Sequence, residues 1–317
     1  MSKEGIDVRI LFATSKALDP KSREVTFDKY KISSIPTARE SLTDTSERVL
    51  LEFYDLWKNN QMSSNPEKEA DYILSLLSLM LQMKVEFDSI MVNNVQATLK
   101  KKRSSFLRGK IEFPSDFQDL YKKLHSLDLD VLRQFLRSCS TYRTALSLID
   151  DNPTLSFFLL VTAIEAVSNK VIKGDKIREN FTEFILKYLP SSFEEKLGNR
   201  KLLLSLIKEA YNMRNAFTHG GTEISVGTLS ADNLKRDYVK HFIEGKETFS
   251  PSLRWFESVV HAVLLAFLRA QKIVDGKESK LPDLALEEAI IHVKAKRAIK
   301  AGRVVTTKDI DLNFRRG

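Results

Sequence analysis

One segment near the middle of the chain limits the fold more than any other. PTLSFFLLVTAIEAVSNKVI (153–172) is apolar on nearly every side of a helical projection. A surface helix has a single apolar stripe, whereas a helix that is apolar all round is buried on all sides. The segment therefore predicts the central helix of a bundle, surrounded by other helices.

Further segments around it have apolar residues at helical spacing and end near Pro or Gly, the usual termination signals. These segments are 127–150, 175–189, 199–219 and 251–273. A polar stretch, 222–250, separates the last two of them. Residues 116–275 are therefore predicted to form one helical bundle.

The N-terminal part of the chain has a mixed character. Segments 6–14 and 23–32 alternate apolar and polar positions, which predicts a pair of strands. Helical patterns follow at 46–60 and 66–102, and the periodicity is lost over 103–116, which contains Gly and Pro. Residues 1–115 are therefore predicted to form an α+β region.

The C-terminal tail, 276–317, returns to alternation around a glycine and is predicted to contain a β-hairpin. It is also basic, with eight Lys and Arg against two Asp from Ile290 onward. The predicted fold class is thus mostly α. An N-terminal α+β region is followed by a helical bundle and a short basic β-tail.

The composition narrows the classes of function. The chain carries 50 Lys and Arg against 42 Asp and Glu, a net charge of +8, and this balance favours polyanionic partners. Its longest apolar runs are shorter than a membrane-spanning helix, and its charged N-terminus is unlike a signal peptide. Cys139 is the single cysteine, which excludes intramolecular disulfides and thiolate metal cages. We therefore expect a soluble, cytoplasmic protein with no membrane partner.

One short stretch, YNMRNAFTHGG (211–221), combines residue types that can carry out chemistry. On a helix Asn215 and His219 share a face, and Tyr211, Arg214 and Thr218 form the adjacent row. Arg214 and His219 are five residues apart and diverge by about 140° around the axis. They converge on one site only if the helix loosens at its glycine end, or if a second copy of the helix supplies the partner groups.

The chemistry of such a site is metal-independent phosphodiester cleavage by the RNA 2′-hydroxyl. Histidine transfers protons near neutral pH, arginine binds phosphate oxygens, and asparagine orients the imidazole or donates to a non-bridging oxygen. No acidic residues cluster in metal-ligand spacing, so we expect no metal and no cofactor. The ordinary alternative is a helix end, where Arg and His oppose the negative end of the dipole and Gly stops the helix.

Two segments resemble the HEPN domain family, and most closely its Apea-like branch. Residues 145–167, ALSLIDDNPTLSFFLLVTAIEAV, are similar to a helix pair of that family which ends in an apolar–Glu–Ala signature, here Ile164–Glu165–Ala166. YNMRNAFTHGG is similar to the family's motif of Arg and His separated by four to six residues, with the preferred Asn after the Arg. The resemblance extends over residues 127–273 and implies a HEPN-like bundle of four or five helices.

The resemblance also implies an activity. Catalytic HEPN members are metal-independent endoribonucleases that act as dimers, with the Arg and His of both protomers lining one cleft. Arg214 and His219 would then be the catalytic pair and Asn215 an orienting residue. Tyr211 and Thr218 would be supporting residues. Glu165 would support the site as an internal partner of an Arg or a backbone amide, because an unpaired buried charge is costly.

Further expectations follow from the resemblance. The partners would be RNA, a second copy of the chain and a protein regulator bound through residues 1–115, and the role would be defence against phage or mobile elements. The chain departs from several toxin-type members, which carry a Tyr two residues after the His, where Gly221 stands here.

The alternative hypothesis is a non-catalytic HEPN module that dimerises and binds RNA or protein, since many family members are of this kind. An open, positively charged groove formed by Arg214 and His219 of two chains favours the enzyme. Burial of this pair in salt bridges within one chain, for example with Glu165, favours the non-catalytic module. A third hypothesis, a DNA-binding regulator, predicts that duplex DNA competes with RNA and that binding falls steeply with salt.

A basic segment before the bundle is a candidate RNA contact. LKKKRSSFLRGK (99–110) has six basic residues and no acidic one, with Phe106 available for stacking. The candidate residues are Lys100, Lys101, Lys102, Arg103, Arg108 and Lys110. A solvated helix end and linker is the ordinary explanation for such a run.

Overall fold

The structure is a computed structural model of the chain. It describes residues 8–14, 17–18, 24–27, 30–35, 47–53, 66–83, 85–92, 95–98, 110–111, 115–220, 237–243 and 246–273. Side chains are described for residues 71–83, 85, 115–218, 237–242 and 247–273. The described residues fall into two compact units: the residues up to Ser126 together with 271–273, and the residues from Leu127 to Ala270.

The N-terminal unit contains a six-stranded antiparallel sheet of order β3-β4-β5-β1-β6-β7. Its strands are β1 (Val8–Thr14), β3 (Glu24–Phe27), β4 (Tyr30–Ile35), β5 (Glu47–Phe53), β6 (Val85–Val92) and β7 (Val95–Thr98). Two short strands, β2 (Ala17–Leu18) and β8 (Lys110–Ile111), pair in parallel. The unit also holds the helices α1 (Pro66–Leu81) and α2 (Phe117–His125).

Two helix predictions in this unit are wrong. Residues 46–60 contain strand β5, and the second half of 66–102 contains β6 and β7. Short apolar runs such as ERVLLEF fit a helix and a strand equally well by periodicity. Strands β5 and β6 lie on the two sides of β1, which is distant from both in the sequence. Pairing with β1 stabilises the strand conformation over the helix.

Helix α1 shows where the predicted long helix ends. Gln82, directly after it, has a positive φ of 48°, which takes the chain out of the right-handed helical region. The Oγ atom of Ser78 then accepts a hydrogen bond from the Val85 amide at 3.2 Å, joining α1 to β6. A local reversal at Gln82 therefore separates the helix from the strand.

The second unit is helical, and the helices predicted there are confirmed. They are α3 (Leu129–Leu148), α4 (Pro153–Val171), α5 (Ile177–Tyr188), α6 (Ser191–Leu197), α7 (Arg200–Gly220) and α8 (Leu253–Arg269). Sequence periodicity missed the short helix α6. It also missed the antiparallel hairpin of β9 (Tyr238–Ile243) and β10 (Lys246–Pro251), which lies in the stretch that was predicted only to be polar. The described part of the chain is thus mostly helical, with strands concentrated in the N-terminal unit.

Helix α4 occupies the centre of this unit, as its composition predicted. It contacts α3, α5, α7 and α8. Pro153 occupies its first turn, and the Oδ1 atom of Asn152 accepts from the Leu155 amide at 3.0 Å, which fixes the helix start. Among the described helices α4 alone is long and apolar enough to cross a membrane by length and composition, but 72% of that apolar window is buried inside the protein.

Aromatic side chains fill the core around α4. Phe157 of α4 stacks on Phe256 of α8 with ring centroids 4.9 Å apart. Phe267 of α8 contacts Phe135 of α3 at 5.6 Å and Phe184 of α5 at 5.5 Å. Since ring pairs of this kind stabilise beyond their buried area, they hold α4, and with it Glu165, in a fixed position.

The division between the units lies eleven residues later than the predicted boundary at 115/116, so that α2 falls into the N-terminal unit. The domain roles assigned from the sequence stay predictions. The predicted β-hairpin of the tail lies outside the described residues.

Candidate functional site

The position of Arg214 follows from the way α7 buries its apolar face. The buried residues Leu203, Ile207, Ala210 and Phe217 recur at intervals of three or four, and Arg214 falls in the same row. Asn199 begins the helix, since its Oδ1 atom accepts from the amides of Lys201 and Leu202. Arg214 therefore occupies a position at which the apolar periodicity of α7 predicts a buried residue.

Arg214 is held by an ion pair to the central helix. Its Nη2 atom lies 3.1 Å from Oε2 of Glu165, and the two side chains are 17% and 9% exposed. The Nη1 atom donates to Oδ1 of Asn215 at 3.1 Å. On another side, the guanidinium carbon lies 5.6 Å from the ring centroid of Phe158, two turns before Glu165 on α4. We call this arrangement of Arg214, Glu165, Asn215 and Phe158 the arginine clamp.

Tyr211 completes the surroundings of the carboxylate. Its hydroxyl donates a hydrogen bond to Glu165. Its ring packs on Phe181 of α5 with centroids 5.3 Å apart, and only 7% of the residue is exposed. Glu165 thus receives donors from two residues of α7, which satisfies a buried carboxylate that would otherwise be costly.

The electrostatics of the clamp are those of a buried charge partly compensated by its neighbours. Burial raises the pKa of the Glu165 carboxyl, and the Arg214 charge together with hydrogen bonds from Tyr211 and Arg214 lowers it in part. Burial, followed by the Glu165 charge, raises the pKa of the Tyr211 hydroxyl. Tyr211 therefore acts as a neutral hydrogen-bond donor at physiological pH.

The helix keeps its regular form as far as the glycines. The helical backbone of α7 continues through His219 to Gly220. Positions 214 and 219 are therefore about 140° apart around the axis, as the ideal geometry requires. Of the two routes by which Arg214 and His219 could meet, loosening of the helix end is not observed within the described residues. The His219 side chain lies outside the described side chains.

Two donors near the clamp behave differently from each other. The Thr218 hydroxyl donates to the Arg214 carbonyl oxygen at 2.8 Å, so it is engaged within its own helix. The Nε–H group of Arg214 is buried and has no acceptor among the described residues. A buried donor without a partner costs free energy.

The structure brings together four of the predicted site residues, Arg214, Asn215, Glu165 and Tyr211, in one connected network. Sequence reasoning missed Phe158, although its place two turns before Glu165 on the same face of α4 was a usable signal. The predicted basic residues from Lys100 to Arg108 lie outside the described residues, and Lys110 lies in β8, where no side chain is described. Among the described residues, no three His, Cys, Asp or Glu side chains are grouped to hold a metal ion.

Comparisons of the chain with models of known protein families, with curated proteins and with solved structures find no match.

Proposed function

We propose that the helical unit is a HEPN-type module that cleaves RNA without a metal ion, at a site composed from two copies of the chain. The observation that carries the proposal is the position of Arg214 and Asn215 near the end of a helix that continues through His219 to Gly220. The arginine clamp orients the Arg214 guanidinium five residues before His219 on α7. An arginine fixed in this way is suited to bind phosphate oxygens without losing side-chain entropy at the moment of binding.

The requirement for a second copy follows from the regular helix end. Because Arg214 and His219 are about 140° apart on α7, one chain cannot direct both at the same phosphate. A two-fold axis near the end of α7 would place Arg214 of one protomer opposite His219 of the other.

The proposed reaction is a transesterification. The ribose 2′-oxygen attacks the adjacent phosphorus while its proton passes to a base, and the bond from phosphorus to the 5′-oxygen breaks as that oxygen takes up a proton. The products are a 2′,3′-cyclic phosphate and a 5′-hydroxyl end. His219 transfers protons, Arg214 stabilises the charge that develops on the phosphorane oxygens, and Asn215 orients the Arg214 guanidinium.

The burial of Arg214 favours a second candidate, the non-catalytic HEPN module that dimerises and binds RNA or protein. Arg214 pairs with Glu165 within one chain, and this pairing is the feature expected of a structural arginine. The ion pair also lowers the net charge that the clamp offers to a phosphate. Location in the cytoplasm and a role in defence belong to either candidate and stay proposals.

The experiment that tests the proposal is cleavage of labelled single-stranded RNA in the presence of EDTA, with the wild type, Arg214→Ala, Arg214→Lys and His219→Ala. Arg133→Ala serves as a matched control, because this arginine lies on the exposed face of α3. We expect cleavage with cyclic-phosphate ends in the wild type and the control. The losses in Arg214→Ala and His219→Ala should reach about a hundredfold or more, typical of removing a charge-stabilising or proton-transferring group.

Mixing the two inactive variants sharpens the test. A heterodimer of Arg214→Ala and His219→Ala retains one intact Arg214 and one intact His219 on opposite chains, so we expect activity to reappear on mixing. Absence of cleavage by the wild type over a range of RNAs, with dimerisation intact, would replace the enzyme by the non-catalytic module.

A further inference from the structure

We propose that Arg178, in the first turn of α5, binds a phosphate of the RNA strand next to the one that is cleaved. The inference rests on the proposed RNA-binding function of the arginine clamp and assigns a second contact to the same site. Its ligand is the phosphodiester backbone of single-stranded RNA, and it gives the site an exposed cation that the clamp itself lacks.

The contacts of α5 place Arg178 beside the clamp. Phe181 lies one turn after Arg178 on α5, and its ring packs on Tyr211 at 5.3 Å. Residues three apart on a helix lie on the same side, so Arg178 extends from the rim above this ring pair. Tyr211 in turn donates to Glu165, the partner of Arg214. The pKa of the Tyr211 hydroxyl is raised chiefly by burial. The positive charge of Arg178 acts on the same hydroxyl and lowers this pKa in part.

The charges of the cluster show what Arg178 adds. Glu165 and Arg214 form a pair whose formal charges cancel, and both are mostly buried. Arg178 is exposed, and the neighbouring carboxylate of Glu179 is engaged by Lys176 at 2.9 Å. Arg178 therefore adds one exposed cation beside the neutral pair, a group of the kind that a polyanionic strand contacts.

The position of Arg178 has no explanation in helix stability. A cation in the first turn of a helix faces the positive end of the helix dipole and is mildly destabilising. Within the described part of the chain no ion pair engages the Arg178 guanidinium, which can form a bidentate contact with a phosphate, where the same dipole assists the binding of the anion. The position of Arg178 is thus unfavourable for the stability of the protein without RNA and favourable for the proposed complex with RNA.

The test uses the full chain with His219→Ala, so that bound RNA stays intact, and a fluorescent single-stranded RNA of about 16 nucleotides. Arg178→Gln is compared with Lys201→Gln, which removes one charge from an exposed position on α7, about 20 Å before Arg214 along the helix axis. We expect Arg178→Gln to weaken binding about two- to tenfold, as the loss of one solvent-exposed hydrogen-bonded contact would. The slope of log Kd against log salt should fall by about 0.7, the value for one phosphate on a single strand. Lys201→Gln should change neither quantity, and Arg178→Lys should restore the slope.

In a chain with His219 intact, Arg178→Gln should raise KM for RNA and leave kcat unchanged. Equal losses in the two Gln variants, or an unchanged salt slope in Arg178→Gln, would overturn the assignment of Arg178. If the wild type bound RNA but did not cleave it, the proposed activity would be wrong. The slope of log Kd against log salt would still test whether Arg178 binds a phosphate. If the protein bound no RNA, both proposals would fail together.

Discussion

The helical unit contains two buried pairs of glutamate and tyrosine, and they differ in how they are connected to the surface. In the first pair, Tyr142 of α3 donates to Glu257 of α8, and Tyr142 is completely buried. In the second, Tyr211 of α7 donates to Glu165 of α4, which also binds Arg214, and the Arg214 side chain is 17% exposed. The same two residue types thus form one pair deep in the core and one pair that is linked, through Arg214, to the surface.

The two pairs also differ in what surrounds the carboxylate. Burial, followed by the Glu257 charge and hydrogen bond, raises the pKa of the Tyr142 hydroxyl well above its usual value, so that Tyr142 is a permanent donor to Glu257. Around Glu165 the hydrogen bonds extend to an arginine with a donor left unsatisfied among the described residues. The Tyr142–Glu257 pair joins α3 to α8, whereas the Glu165 carboxylate is shared between a tyrosine and an arginine of α7.

The largest expected effect breaks the core pair. Tyr142→Ala should lower the free energy of unfolding by about 3–5 kcal/mol, because it leaves a cavity and removes the donor to Glu257. Urea unfolding followed by circular dichroism measures the loss. Tyr211→Ala, at the rim of the unit, should cost less stability. An equal loss in the two variants would contradict the distinction between core and rim.

The next effect distinguishes the contribution of Arg214 to stability, through its ion pair, from its proposed role in RNA cleavage. Arg214→Met leaves Glu165 buried without its cation and should cost about 3 kcal/mol of folding free energy. Adding Glu165→Gln removes the stranded charge and should restore at least half of that stability, but none of the RNA cleavage. If the double variant were no more stable than Arg214→Met, the ion pair would not be the reason for the loss.

A smaller and more discriminating effect comes from removing a single hydroxyl from each pair. Tyr142→Phe should cost about 1.5–3 kcal/mol, as expected for a buried hydrogen bond to a charged group, and leave RNA cleavage unchanged. Tyr211→Phe should slow cleavage several-fold, because Glu165 loses a donor and holds Arg214 less firmly. Denaturation and cleavage assays on the two proteins, run side by side, separate the roles. Normal cleavage by Tyr211→Phe would assign both tyrosines to stability alone.

The smallest effect concerns pH. Because the pKa of Glu165 is raised in the folded protein, the folded state binds its proton more readily than the unfolded chain. The contribution of Glu165 to stability is therefore fully present below the unfolded pKa and is lost as pH rises through the folded pKa. Relative to Glu165→Gln, the wild type should be more stable at acidic than at neutral pH, as measured by urea midpoints across this range. A difference that grew with pH would mean that Arg214 outweighs burial.

Much of the helical unit could be predicted because its determinants are local. Apolar periodicity, Asn152–Pro153 at the start of α4 and Gly220 at the end of α7 act within a few residues, and the helices lie where these signals place them. Strands β5 and β6 could not be predicted in this way. They form through pairing with β1, far away in the sequence, and no local pattern encodes that partner.

The sequence predicted which residues form the candidate site, but it did not predict the contacts between their side chains. An arginine in the inward row of α7 and a glutamate inside the apolar helix α4 are visible in the sequence as two misplaced charges. The stacking of Phe158 on the guanidinium, the bond from Arg214 to Asn215 and the nearness of Arg178 depend on how α4, α5 and α7 pack.

The sequence alone determined that residues 127–273 fold mainly as helices around α4 and that Arg214, Asn215 and His219 lie near the end of one of them. It did so because helix formation and termination depend on neighbouring residues. Only the tertiary structure decided that Glu165 binds Arg214. Packing between α4 and α7, which are distant in the sequence, sets this contact. The helical period already separates positions 214 and 219 by about 140° within one chain, and for this reason we propose a site shared by two.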